Sequence, residues 1–248
     1  MKKILILMTA VLFLVPGFIF SDVVTFKVGY FFPRAESDLW QDEFYNMTFE
    51  KSSYQTSNFG FGYEYFVNNQ FSIVLNVEGY SKNKLGEYVD FVGISDYDGD
   101  WAYPTDFMAD FYPAHTFSVS ITPIQLSLKI APLGRGQKFI PYVGGGVGLY
   151  IWSVRIFGDL VDFNDPYVDT DWNVDVYPIL TVNAKEDNKI RIGYHAFGGV
   201  MIPVANRISF EAEFKYNFAR GNLTEAFVGF EPFDLSGFQI SVGLNYWF

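Results

Sequence analysis

The chain has 248 residues, 28 Asp and Glu against 17 Lys and Arg, a formal net charge of −11 and no cysteine. Half of its residues are apolar and 18% are charged, which excludes a disordered or coiled-coil chain. The acidic balance argues against nucleic acid as a partner, because phosphate binding needs clustered Lys and Arg. Without cysteine there is no disulfide scaffold, no thiolate metal site and no thiol nucleophile.

Lys2 and Lys3 precede a charge-free run from Ile4 to Phe20, broken by Pro16-Gly17 and followed by Ser21. This pattern reads as a secretory signal over residues 1–21, with 22–248 as one domain; the other reading is an uncleaved anchor helix. Beyond residue 21 no stretch resembles a bilayer helix.

Eight segments then alternate with period two, the signature of half-buried strands. Segment 23–33 sets Val24, Phe26, Val28, Tyr30 and Phe32 on one face, and 58–67 sets Phe59, Phe61, Tyr63 and Tyr65. Segment 71–81 aligns Phe71, Ile73, Leu75 and Val77. In 117–130 the parity of Phe117, Val119 and Ile121 slips to Ile124, Leu126, Leu128 and Ile130, so a bulge is expected at Pro123. Segments 139–155, 190–202, 208–219 and 237–248 complete the set. The joins at 68–70, 131–138 and 203–207 are short, whereas 34–57, 82–116, 156–189 and 220–236 are long. Short turns on one side and long loops on the other predict an all-β, eight-stranded antiparallel up-and-down transmembrane barrel with four long extracellular loops. Strand character at 88–94 and 174–184 reads as hairpin extension beyond the membrane, with ten strands as the alternative. The long loops hold 23 of the 28 acidic residues.

Period two alone does not say which face points inward; a soluble barrel would put the apolar face inside. Lys27, Glu64, Glu78, Lys129, Arg191, Glu211, Glu213 and Lys215 all fall opposite the apolar face, together with His195 and most strand glycines. A crowded concave interior needs small residues, and a lipid-facing Lys or Arg at the midplane costs roughly 2–4 kcal/mol. The polar face is therefore expected to line the lumen, as four acids and four bases in an ion-paired plug.

With Asn58–Tyr65, Pro141–Gly148, Gly193–Val200 and Gly237–Phe248 in view, the chain resembles the small outer-membrane β-barrel superfamily of the OmpA transmembrane domain and OmpW-type proteins. The resemblance implies the outer membrane of a diderm bacterium, with membrane lipid and lipopolysaccharide around the barrel. It also implies handling by periplasmic chaperones and the barrel-assembly machinery. Val242, Leu244, Tyr246 and Phe248 look like the terminal-strand signal read by that machinery. A periplasmic peptidoglycan-binding domain is expected to be absent.

Chemical motifs are weak. Gly144, Gly146 and Gly148 form G-x-G-x-G inside a strand rather than at a strand-to-helix turn, so dinucleotide binding is disfavoured. Asp96, Asp98 and Asp100 begin like a calcium loop, but Trp101 and Phe107 stand where Gly and Glu are required, leaving at most a loose cation site. His195 could serve as a base beside Glu211 or Glu213, yet a hydrogen-bonded lumen histidine is the simpler reading. Small-barrel lipid A deacylases use a His-x-Ser pair on one strand face; His115 and Ser118 instead fall on opposite faces. The expectation is a non-enzymatic surface or structural protein with no cofactor and no metal, the alternative being a narrow OmpW-like channel.

Overall fold

The computed structural model describes residues 22–248; the secretory segment expected over residues 1–21 lies outside the described residues. In chain order the elements are β1 (Val23–Pro33), helix α1 (Asp38–Asn46), β2 (Thr56–Phe66), β3 (Phe71–Glu87), β4 (Phe91–Asp96) and β5 (Gly99–Pro104). They continue with β6 (Ala114–Ile130), β7 (Ile140–Val161), β8 (Tyr167–Asp169), β9 (Val174–Ala205) and β10 (Ile208–Phe218). The chain ends with β11 (Arg220–Gly221), β12 (Phe233–Asp234) and β13 (Gly237–Trp247). Eight of these, β1, β2, β3, β6, β7, β9, β10 and β13, pair antiparallel with sequence neighbours, and β13 closes the ring on β1. Closure leaves no edge in the bilayer, which a membrane barrel requires because hydrocarbon offers no hydrogen-bond partner.

Alternation decides which way each side chain points. Phe26, Phe61, Leu126, Val147, Phe210 and Val242 are exposed on the outside, while Lys27, Glu64, Lys129, Glu211 and Asn245 are buried inside. Aromatic pairs gather at both margins of this outer band. Tyr30, Phe32, Phe238 and Phe214 are packed near one margin, and Tyr246 and Phe248 meet near the other. An apolar belt between aromatic girdles is what a bilayer with two wet interfaces selects.

The strands fall into two length classes. β1, β2, β10 and β13 have 11 residues each, enough for a tilted bilayer span. β3 and β6 have 17, β7 has 22 and β9 has 32. Their outer faces turn polar past Val77, Ile124 and Ile151, giving way to Ser81 and Asn83, Ser120 and Ser118, and Ser153 and Arg155. These four strands therefore rise beyond the lipid as a partial wall. The β4–β5 hairpin joins that wall through Trp101 opposite Pro178 and Ala102 opposite Tyr177. The extra strand character at 88–94 and 174–184 thus extends the barrel outside the membrane and adds no strand to the ring.

The bulge expected at Pro123 does not exist. β6 holds one register against β7 from His115 opposite Gly158 to Ile130 opposite Val143. Only the ladder to β3 is interrupted, at Glu78 and Gly79 facing Thr122 and Pro123, because proline has no N–H to give. Phe117, Val119 and Ile121 are apolar because they face inward, above the membrane, where the interior is itself apolar. The slip in the sequence pattern marks a change of environment rather than a change of register.

Candidate functional site

In the membrane-spanning half, strand parity places the inward side chains in layers. Lys27 of β1 reaches over Gly243 of the intervening β13 to Glu211 Oε1 and Glu213 Oε2 of β10, each at 3.0 Å. Lys129 of β6 sits 2.8 Å from Glu64 Oε2 and 3.8 Å from Glu211 Oε2. Lys215 of β10 pairs with Glu78 and lies 3.6 Å from Glu213 Oε1. Neutral groups complete the layers: Gln125 accepts from Lys215 at 3.1 Å and donates to Asn217 at 2.7 Å, and Tyr142 donates to Glu213 at 3.1 Å. All of these charged groups are buried, so each depends on its partner for the solvation it has lost. Gly60 and Gly243 make room for two of them. A Cβ at Gly60 would stand 2.9 Å from Glu78 Cγ, and one at Gly243 would stand 2.8 Å from Glu211 Cγ.

Arg191 requires a correction. It has inward parity opposite Tyr150 but is only half-buried, and no ion pair to it is recorded among the described residues. The reason is its height. β10 has already ended at Phe218, opposite Tyr194, so Arg191 lies beyond the level at which Glu211 and Glu213 of β10 point inward. The fourth cation is instead Arg135, from the 131–138 turn. Its guanidinium is 3.1 Å from Glu64 Oε1, lies 3.9 Å over the Phe66 ring, and donates to the Asn68 carbonyl at 2.7 Å. Period-two reasoning missed Arg135 because parity is defined only along strands. The signal that could have found it was the need for a fourth base near a short turn.

His195 lies with its Nε2 2.7 Å from Ser127 Oγ and shows no ion pair with Glu211 or Glu213. Its Nδ1 is buried without a hydrogen bond, so no acid orients the ring for base catalysis. Gly144, Gly146 and Gly148 lie within β7, and Asp96 to Asp100 close the β4–β5 hairpin, with Ser95 Oγ donating to Asp100 at 2.7 Å. Val242, Leu244, Tyr246 and Phe248 point outward from the end of the chain.

Above the charged layers the interior is aromatic. Ser37 starts α1; its Oγ accepts from Asp234 N at 3.1 Å, so it ties residues 34–55 to residues 219–236. Asp38 in the first turn suits the positive end of the helix dipole. Trp40 then enters the barrel mouth. It meets Tyr54 and Phe117 edge-on at 4.9 and 5.1 Å, stacks on Phe233 at 5.2 Å, and donates through Nε1 to the Asp234 carbonyl at 3.1 Å. Trp152 continues the stack against Phe233 at 5.9 Å.

His115, at the outer end of β6, is held between two acceptors. Its Nδ1 is 3.1 Å from the Asp159 carbonyl and its Nε2 is 2.9 Å from Glu43 Oε2 of α1. Two acceptors require a proton on each ring nitrogen, so the arrangement fits imidazolium against carboxylate. Burial opposes that charge; the hydrogen bond and charge of Glu43 outweigh it and raise the His115 pKa above its ordinary value of 6.5. Both nitrogens are committed, and Ser118 faces the other side of β6, so no hydroxyl is available for the ring to activate.

No family model and no curated protein matches the sequence. Solved structures do resemble the fold. Neisserial surface protein A is 14% identical, with 92% of this chain and 97% of that chain covered and a TM-score of 0.47. Outer membrane protein OprG from Pseudomonas aeruginosa is 10% identical, with 92% and 96% covered and a TM-score of 0.48. Ail, the attachment invasion locus protein of Yersinia pestis, solved with the heparin analogue sucrose octasulfate, is 9% identical, with 92% and 100% covered and a TM-score of 0.44. The closed antiparallel ring, the outward apolar belt and its aromatic margins give this chain the fold of a small membrane-spanning β-barrel.

Proposed function

We propose that this protein is a non-enzymatic outer-membrane barrel whose lumen is plugged and whose acidic outer region carries an interaction surface. The observation behind the reading is the pairing of Lys27, Lys129, Lys215 and Arg135 with Glu64, Glu78, Glu211 and Glu213 across the barrel. Four cations against four anions leave no net field to draw an ion through. Trp40, Tyr54, Phe117 and Phe233 lie above them, so a solute from outside would first have to displace an aromatic core. In this reading residues 1–21 direct export, and β13, with Val242, Leu244, Tyr246 and Phe248 outward, is the segment the assembly machinery reads.

Planar-bilayer conductance of the refolded protein, alongside Glu213→Gln, tests the plug. The expected result is no discrete conductance from wild-type protein whose folding is verified by heat-modifiable migration. Reproducible channels whose size changes in Glu213→Gln would replace the plugged barrel with a narrow, OmpW-like conduit.

A further inference from the structure

Between the charged layers and the aromatic core, the lumen contains a cavity of about 20 Å³. That is room for one water molecule and little else. Its apolar lining includes Phe31, Tyr80 and Leu235, which belong to the aromatic core. Its polar lining is Asn58, Glu78, Asn217 and Gln239, with the Tyr150 ring beside them.

Two of these polar groups are incompletely satisfied. Asn58 and Glu78 are each more than nine-tenths buried, yet Asn58 Oδ1 and Glu78 Oε2 have no hydrogen-bond partner among the described residues. Glu78 Oε1 takes Lys215, whose other contacts are Gln125 at 3.1 Å and Glu213 at 3.6 Å. A buried acceptor left without a donor carries its full desolvation penalty. The two oxygens do not satisfy each other, because a carboxylate oxygen and an amide oxygen only accept. Gly29, opposite Asn58, leaves the amide its space; a Cβ there would stand 2.6 Å from Asn58 Oδ1.

The geometry calls for a small group that donates twice. A monovalent cation would also suit two oxygens, but Lys27, Lys129, Lys215 and Arg135 already balance the four glutamates. Lys215 moreover stands against the same carboxyl group. A fifth positive charge would be buried without a counter-charge. Water is neutral, donates twice, and has lone pairs for the N–H groups that Asn217 and Gln239 carry.

We propose that this cavity binds one ordered water, which donates to Glu78 Oε2 and Asn58 Oδ1. It links β2 to β3 inside the barrel, at the level where the charged layers meet the aromatic core. This deepens the plugged-lumen reading above and rests on it: an isolated water belongs to a closed lumen, whereas an open one holds a continuous file.

The test is a crystal structure of the refolded protein at a resolution that shows ordered water. A second data set comes from crystals soaked in thallium(I), which replaces monovalent cations and scatters anomalously. The expected map has one peak at roughly 2.5–3.0 Å from both oxygens, with no anomalous signal. Asn58→Leu removes one acceptor and fills part of the cavity, so its folded barrel should lose the peak. If that variant fails to fold, the two wild-type maps decide alone. A thallium peak at the site, no peak within reach of both oxygens, or a peak that persists in folded Asn58→Leu would each overturn the proposal. Planar-bilayer conductance of the same protein separates the outcomes. A thallium peak in a silent barrel sinks only the water, whereas a file of peaks through a conducting barrel sinks the plug as well.

Discussion

The barrel interior contains two regions that solve the same problem with opposite chemistry. In the lipid-spanning half the inward side chains are Lys, Glu, Gln, Asn and Tyr, joined through charge-assisted contacts such as Lys27 to Glu211 and Glu213. In the outer half they are Phe117, Val119, Ile121, Trp152 and Ile156, packed on Trp40 and Phe233 from the loops. The difference follows from what lies outside the wall. A strand in lipid must spend its outward positions on apolar residues, and its polar side chains then have only the interior to occupy. A strand above the lipid faces water outside, and its interior becomes an ordinary hydrophobic core. The same strand, β6, does both, reversing its pattern at Pro123 without moving its register.

This comparison can be broken most directly at its two centres. Trp40→Ala removes the side chain that joins both outer loops and should cost about 3–5 kcal/mol. Lys27→Met takes the 3.0 Å partner from buried Glu211 and Glu213, leaving them Lys129 at 3.8 Å and Lys215 at 3.6 Å, and should also cost about 3–5 kcal/mol. The two losses should differ in kind. Adding Glu213→Gln to Lys27→Met should restore part of the stability in urea titrations, because it removes the excess buried negative charge that the first substitution leaves. For Trp40→Ala, limited proteolysis should open residues 34–55 and 219–236 while the heat-modifiable barrel persists. A Trp40→Ala barrel that unfolds as a whole at the same urea concentration as its loops would show that the two regions are one cooperative unit.

A smaller effect separates the two arginines. Arg135→Gln loses an ion pair to buried Glu64 and a ring contact to Phe66, and should cost about 1–2 kcal/mol. Arg191→Gln, outside the ion-paired layers, should stay within about 0.5 kcal/mol of wild type in the same titration. Equal losses would mean that Arg191 also serves the interior charges.

The smallest effect concerns pH and the outer region alone. The folded pKa of His115 is raised above 6.5, so protonated His115 stabilises the anchoring of α1 fully below that value. That contribution is lost as pH rises through the folded pKa. Hydrogen exchange in α1 should therefore quicken at alkaline pH in the wild type, beyond the intrinsic base dependence of exchange, and His115→Gln should flatten this excess. Exchange with the same excess pH dependence in both would remove His115 from that role.

Much of this architecture was legible in one dimension. The segments 23–33, 71–81, 208–219 and 237–248 fall on strands with the inward and outward faces that alternation implies. Charge on one face and bulky aromatics on the other distinguished a membrane barrel from a soluble one. Glu43 shows the limit. It lies 72 residues from His115 in sequence, and nothing in its local context predicts that a short helix will turn it inward. Arg135 was equally hidden, since a turn residue has no parity and its reach depends on the adjoining turn at Asn68.

Local periodicity and composition therefore determined the strands, the ring and its lipid-facing side, because a two-residue repeat beside hydrocarbon admits few arrangements. Tertiary structure alone decided which four cations meet which four anions. It also decided where β6 leaves the membrane, and that residues 34–55 and 219–236 fold into the mouth instead of standing free in solvent. Those outcomes depend on strand stagger and on contacts between distant residues, which bring side chains to a common height in a barrel.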